Sequence, residues 1–176
     1  YYGENYGGRF FTEEVARRIG ALRDAIDAWN LRPVVKAAAV ASVLYAADAA
    51  ALTCGHFDAF RPVDDENSAR RFVLRLPDIP YRANGNNRVF CRDGNELAGE
   101  IEGDLLYVDP PYNRRQYGTL YHVLENIAVN AKPALAGKTR KVPPAARPRS
   151  AYCTGRAADA MRDLVAQCRV RHLLVS

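Results

Sequence analysis

The sequence predicts an α/β fold with a mainly parallel sheet in its second half, preceded by a helical region. Three observations carry that prediction. Between residues 12 and 52, apolar side chains recur at helical spacing. From Arg88 onward the pattern alternates strand, short helix, strand, helix, loop, helix, strand. Finally, the short apolar run Leu105 to Val108, bounded by Asp104 and by Pro110-Pro111, reads as a buried strand that stops at Asp109.

Residues 1–11 (YYGENYGGRFF) are rich in aromatics and glycine. They read either as a ligand-facing loop or as an aromatic lead-in packed on the next helix. Thr12 is a good N-cap, with Glu13 and Glu14 in the first turn, where the helix dipole favours acid. Val15, Ile19, Leu22, Ile26 and Trp29 then form one stripe of a helix running to about Asn30, with Arg17, Arg18 and Arg23 off it on a solvated face. Pro33 opens a second helix to about Leu52, alanine-rich and apolar almost all round, so buried at its centre. Thr53 to Phe60 is a break. His56 within it reads as a structural hydrogen-bond partner or as a group beside a substrate.

Residues 61–70 are polar and read as a loop, Arg71 to Leu76 as a short strand, and Asn84 to Asn87 as a turn. Arg88 to Arg92 reads as a strand ending at Asp93-Gly94, followed by a short helix near 95–101. Thr119 to about Asn130 is a helix with Leu120, Val123, Leu124 and Ile127 inward, and His122 packed close to that face. From Asn126 to Ala158 there are seven Lys or Arg residues and no acidic one, with four prolines between Lys132 and Arg149. Residues 131–153 therefore read as a mobile basic loop, able to follow a polyanion backbone through Lys138, Arg140 and Lys141 or simply solvated. Gly155 to Cys168 is a helix with Met161, Leu164, Val165 and Cys168 on one side, and Val170 to Ser176 a last strand.

At 176 residues and 48% hydrophobic content, the chain has one domain's worth of material for a core. No uninterrupted apolar span of membrane length and no signal peptide is evident. The four cysteines show neither CxxC pairing nor zinc-type spacing, which suggests reduced thiols in a cytoplasmic protein and no metal. The net charge of +5 fits a polyanionic partner. The chain opens on Tyr1 without a methionine and stops directly after an apparent strand, so it reads as a piece of a longer protein.

Residues 109–112, Asp-Pro-Pro-Tyr, carry the most specific chemistry. An exocyclic amine on a nucleobase is a poor nucleophile because its lone pair is delocalised into the ring. Two acceptors holding its N–H groups favour the pyramidal amine, and Asp109 and the Pro110 carbonyl are such acceptors. Their contacts strengthen as the nitrogen becomes positive. Pro110 and Pro111 lack N–H groups and stiffen the turn. Tyr112 offers a flat face for an extruded base. The plainer reading is a strand, a Pro-Pro turn and an ordinary turn aspartate.

Asp-Pro-Pro-Tyr after an apolar strand resembles the catalytic motif of the Dam-type adenine-specific DNA methyltransferases. The stretch from Asp109 to Ala128 is similar throughout to a restriction-modification branch of that family, as are Asn5 to Trp29 and Ala46 to Phe60 with Thr53-Cys54-Gly55-His56-Phe57. The resemblance implies a partial Rossmann-like methyltransferase sheet, S-adenosylmethionine as cofactor, a flipped adenine in duplex DNA as acceptor and a cognate restriction endonuclease as possible partner. It also makes Asp93 the position that contacts the adenine portion of the cofactor, and Asp109 a second cofactor-binding residue; the alternative for Asp93 is a helix cap or a turn aspartate. Arg114 and Arg115 would hold DNA phosphates or nothing. Residues 1–60 become a recognition or scaffold part and 61–176 a partial catalytic region. Two departures stand out. The family's first strand, with its glycine turn, falls upstream of residue 1, and Leu52 stands where a polar residue is expected. The fragment is therefore expected not to methylate unaided. Cytosine N4 or RNA as acceptor, and a non-catalytic nucleic-acid-binding module, remain the alternatives.

Overall fold

A computed structural model describes residues 1–61, 67–78, 85–111, 113–143 and 149–176. Along the chain run α1 (Tyr2–Tyr6), α2 (Glu13–Ala28), α3 (Pro33–Ala50), α4 (Asn67–Arg71), α5 (Gly94–Ala98), β1 (Glu102–Val108), α6 (Tyr117–Leu120), α7 (His122–Val129), α8 (Ala157–Gln167) and β2 (Arg169–Val175). They fall into two compact units. A helical unit comprises Tyr1–Ile79 and Gly118–Arg147, and a sheet unit comprises Pro80–Tyr117 and Pro148–Ser176.

The helical unit is built on its aromatic lead-in. Tyr2, Tyr6, Phe10 and Phe11 are buried with Val15, Ile19 and Ile26 of α2, a stripe of α3, Phe57, Phe72, and Val123 and Ile127 of α7. Of the two readings of residues 1–11, packing is the one observed. Gly20 permits it, since a Cβ there would lie 3.2 Å from the Tyr2 ring. The Tyr2 hydroxyl lies 2.9 Å from the Asn126 carbonyl and 2.8 Å from Asn130 Oδ1, and Asn126 Nδ2 donates to the Tyr6 hydroxyl. Burial pushes both tyrosine hydroxyls well above their ordinary range, so they stay protonated. Thr12 caps α2 as expected, accepting from the Val15 N–H at 3.3 Å.

Several expectations in this unit are corrected. Arg23 is buried rather than solvated, because Nε donates to the Ile127 carbonyl at 2.6 Å and Nη2 lies 3.4 Å from that of Ala128, carbonyls at the C-terminal end of α7. Trp29 is exposed, since it is already the C-cap of α2. α3 is buried on one stripe only (Ser42, Val43, Ala46, Ala47, Ala50), with Val34 and Tyr45 facing out. It is also, by length and composition, apolar enough to cross a membrane, but Lys36 and Asp48 interrupt it, so the expectation of no uninterrupted apolar span stands; core helices pass the same test. The predicted helix over 119–130 is two helices, broken at Tyr121 (φ −119°, ψ 16°) and ended by Asn130 in the left-handed region at φ 55°.

The described residues of the supposed mobile loop, 131–143 and 149–153, carry defined hydrogen bonds. Ala136 and Lys141 exchange backbone hydrogen bonds at 2.9 and 3.0 Å around a turn with Gly137 at φ 73° and Arg140 at φ 47°. His122 is buried, with its ring nitrogens 2.9 Å from the Thr119 carbonyl and 2.8 Å from the Thr139 carbonyl. Both partners can only accept, so both bonds form together only when each ring nitrogen carries a proton. Residues 144–148 of that loop lie outside the described residues.

In the sheet unit, β1 and β2 run parallel in register from Glu102↔Arg169 to Val108↔Val175. Asp93 caps α5. The core is small: Ala98, Val108 and Leu164, with Leu106, Tyr152, Met161 and Cys168 partly buried around them. The expectation of a buried strand at 105–108 holds for Val108 only, since Leu105 is 61% and Tyr107 55% exposed. Val165 likewise faces out. The short strands expected at 71–76 and 88–92 are absent. Residues 67–71 are helical instead, and Val89 is 97% exposed, with no ladder partner for either segment among the described residues. The turn expected at 84–87 includes Asn84, outside the described residues.

Candidate active site

β1 ends where its apolar run ends. Beyond Val108, two prolines without N–H groups cannot continue the ladder, so the chain leaves the sheet at Asp109-Pro110-Pro111. These three residues line a mainly apolar cavity of about 310 Å³ in the sheet unit, whose walls include Leu97 and Ala98 of α5, Leu106, and Leu164 of α8. Tyr152 also lines it, its hydroxyl donating to Asn95 Oδ1 at 2.8 Å. Asn95 Nδ2 in turn donates to the Ala160 carbonyl and to Asp163 Oδ2 at 2.8 and 2.7 Å, which fixes α5 against α8. Burial, with the Asp93 and Asp163 charges, raises the Tyr152 hydroxyl above its ordinary range, so it remains a donor.

The turn after the motif is braced on its other side. Arg115 N–H donates to Asn113 Oδ1 at 2.8 Å. Gln116 and Ser150 exchange two bonds, side-chain amide to carbonyl at 3.1 Å and backbone N–H to Oε1 at 2.8 Å. The Cys153 thiol donates to the Arg115 carbonyl at 3.3 Å, and burial pushes its pKa up, which favours the thiol form that makes this bond.

Of the sequence-predicted site residues, Asp109, Pro110 and Pro111 share one cavity. Tyr112 lies outside the described residues. Asp93 accepts from the Asn95 and Glu96 N–H groups through Oδ1, the helix-cap alternative, beside Gly94 of the cavity wall. Arg114 and Arg115 are exposed. Lys138, Arg140 and Lys141 belong to the helical unit. There Lys138 Nζ lies 5.9 Å from the centre of the Phe60 ring, and Lys141 is ion-paired with Asp58. His56 Nδ1 accepts from the Asp58 N–H at 3.3 Å, a structural bond. No group of three or more His, Cys, Asp or Glu that could hold a metal occurs among the described residues.

Sequence reasoning missed Ser176. Its hydroxyl donates to Asp109 Oδ1 at 2.9 Å, and its N–H to the Val108 carbonyl at 3.1 Å. The signal was available only through strand register, which brings residue 176 beside 109.

The model of the D12 class N6 adenine-specific DNA methyltransferases matches residues 1–153. The chain belongs to that family. Among curated relatives, this D12-class chain is 32% identical over 176 residues to the type II methyltransferase M.FokI of Planomicrobium okeanokoites, covering 95% of this chain and 26% of the relative. It is 34% identical over 181 residues to modification methylase StsI of Streptococcus sanguinis, covering 99% and 27%. To the type II methyltransferase M.NlaIII of Neisseria lactamica it is 34% identical over 135 residues, covering 74% and 40%. The chain thus spans about a quarter of the FokI and StsI methyltransferases. No solved structure matches it. A mixed helix-and-strand architecture with a small parallel sheet is consistent with the α/β fold of a methyltransferase.

Proposed function

We propose that this chain is the acceptor-orienting part of a DNA methyltransferase that moves a methyl group from S-adenosylmethionine to N6 of an adenine flipped out of duplex DNA. The observation that carries the reading is an Asp-Pro-Pro turn at the carboxyl end of a parallel strand, opening on an apolar cavity. Membership of an adenine-N6-specific family supports it. The cavity's apolar walls, with Asp109 among the lining residues, suit a planar purine whose edge carries an amine.

In this reading, Asp109 and the Pro110 carbonyl accept the two N6 hydrogens and pyramidalise the nitrogen, and Pro111 keeps the turn rigid. Tyr112 stacks on the base. Bound by this protein, S-adenosylmethionine would supply an electrophilic methyl on a sulfonium, the C–S bond breaking with its electron pair left on sulfur. As the new C–N bond forms, the positive charge on nitrogen is held by the same two acceptors until one N–H proton passes to solvent water. Asp93 and Asp109 are the residues assigned to the cofactor, and Arg114, Arg115, Lys138, Arg140 and Lys141 to DNA phosphates. Residues 1–60 serve recognition or scaffold, and 61–176 the chemistry. The two strands belong to a Rossmann-like sheet whose other strands lie elsewhere in the protein. A cytoplasmic location and a companion restriction endonuclease complete the proposal.

The test is methyl transfer by the intact protein carrying this chain, with mass spectrometry of nucleosides from the digested DNA. N6-methyladenine should form, and Asp109→Ala should lower the rate at least about 100-fold while DNA binding persists. Methylcytosine alone, or no methylated base, would reject the adenine assignment.

A further inference from the structure

A carboxylate that must accept an amine hydrogen has to present one oxygen in a fixed direction. Asp109 is exposed and sits on a turn beyond the last ladder pair, so its side chain would otherwise sample several rotamers. We propose that Ser176 is a positioning residue for Asp109, tying Oδ1 so that Oδ2 faces the acceptor amine. The proposal rests on the reading of Asp109 as that amine's acceptor.

The geometry is built from the backbone outward. Val108 pairs with Val175 in the parallel register, so the next residue of each strand emerges at the same end of the sheet. Ser176 N–H continues the ladder by donating to the Val108 carbonyl at 3.1 Å. Its Cβ position is thereby fixed, and the hydroxyl has one hydrogen, which it gives to Asp109 Oδ1 at 2.9 Å. Among the described residues, no other side chain hydrogen-bonds to Asp109. Three apolar residues, Leu173, Leu174 and Val175, precede this serine, and the strand turns polar at the position abreast of the motif aspartate. A hydroxyl there fixes orientation without adding a charge that would compete with the amine for the carboxylate.

The experiment compares Ser176→Thr with Ser176→Val in the intact protein. The two replacements have the same shape and differ only in the hydroxyl, so packing changes cancel between them. Initial-rate methylation of duplex DNA with labelled S-adenosylmethionine gives kcat and both KM values, and thermal melting is recorded alongside. The threonine variant should keep kcat within about threefold of wild type, and the valine variant should lose at least about tenfold, the lower end of the range for one hydrogen bond to a charged group. Both KM values should stay within about twofold, because the bond acts on orientation rather than on uniform binding. Equal kcat for the two variants would overturn the proposal. So would a loss in the valine variant that appears in KM with kcat unchanged. Asp109→Ala separates the two levels of argument. If it is inactive while threonine and valine behave alike, only the positioning role falls. If it stays active, or the wild-type protein methylates no adenine, the acceptor reading falls and the positioning role with it.

Discussion

The helical unit and the sheet unit contrast in how they are held. Sixteen buried residues form the core cluster of the first, among the described residues, and three form that of the second. That ratio makes the helical unit a body with its own core. The sheet unit, by contrast, is a short parallel ladder whose side chains largely face outward. Parallel sheets are normally covered on both faces, and two strands alone are marginal at best. The proposed chemistry nevertheless sits on the sheet unit, at the one place where β1 is buried, next to Val108. Rigidity at Asp109-Pro110-Pro111 therefore comes from local devices: proline geometry, the Gln116–Ser150 pair and the Ser176 bonds. Bulk packing supplies little of it.

The largest effect that would break this contrast is a cavity in the aromatic core. Phe57 is buried, with its ring centroid 5.7 Å from Phe10 and 6.3 Å from Phe11. Phe57→Ala should destabilise the 176-residue chain by about 3–5 kcal/mol, measured by denaturant unfolding followed by far-ultraviolet circular dichroism. A loss below about 1 kcal/mol would mean that this core is not what holds the helices.

The parts that were legible in the sequence are those fixed by local chemistry. Thr12 as a cap, the C-terminal end of β1 at Val108, β2 to within one residue, the Pro-Pro stop and the packed character of His122 all follow from residues close in the chain, whereas β1 begins three residues earlier than its apolar run. What failed depends on partners distant in sequence. Arg23 looks solvated on a helical wheel, and only the α7 carbonyls over 100 residues away make burial favourable. The basic loop looks mobile by composition, yet reciprocal Ala136–Lys141 bonds, His122 and the Gln116–Ser150 pair hold its described residues. The segments at 71–76 and 88–92 alternate like strands, but alternation does not supply a ladder partner. At the site, the motif was readable as a motif. Ser176 was not, because its role exists only once two strands 67 residues apart are put in register.

A smaller effect sharpens the contrast from the other side. Leu105 is 61% exposed on β1, so Leu105→Ala should cost the 176-residue chain less than about 1 kcal/mol. In the intact protein, the same substitution should cost about 2–5 kcal/mol if other segments cover that face, as the Rossmann-like proposal requires. Equal and small costs in both settings would show that the face stays open.

The smallest effect concerns the polar rim where α2, α3 and α7 meet. Asp27 takes a salt bridge from Lys36 at 2.8 Å, a bond from Asn130 Nδ2 at 2.7 Å and a longer contact from Arg23 at 3.3 Å. The Lys36 ammonium first, and then the Asn130 amide, hold its carboxyl down to about 2. A carboxylate unfolds to a pKa of about 4, so the folded value is the lower one. Its stabilisation is then fully present above pH 4 and is lost as pH falls through the folded value toward 2. With 35% of the Asp27 side chain exposed, solvent screening limits the contribution to at most about 1 kcal/mol. Asp27→Asn should accordingly flatten the acid limb of stability between about pH 4 and pH 2, and should matter less in high salt. An unchanged acid limb would place the stabilising charge elsewhere. Asp24 is the natural candidate, since its carboxyl is also lowered, by Lys132 and then Asn130, on the same rim.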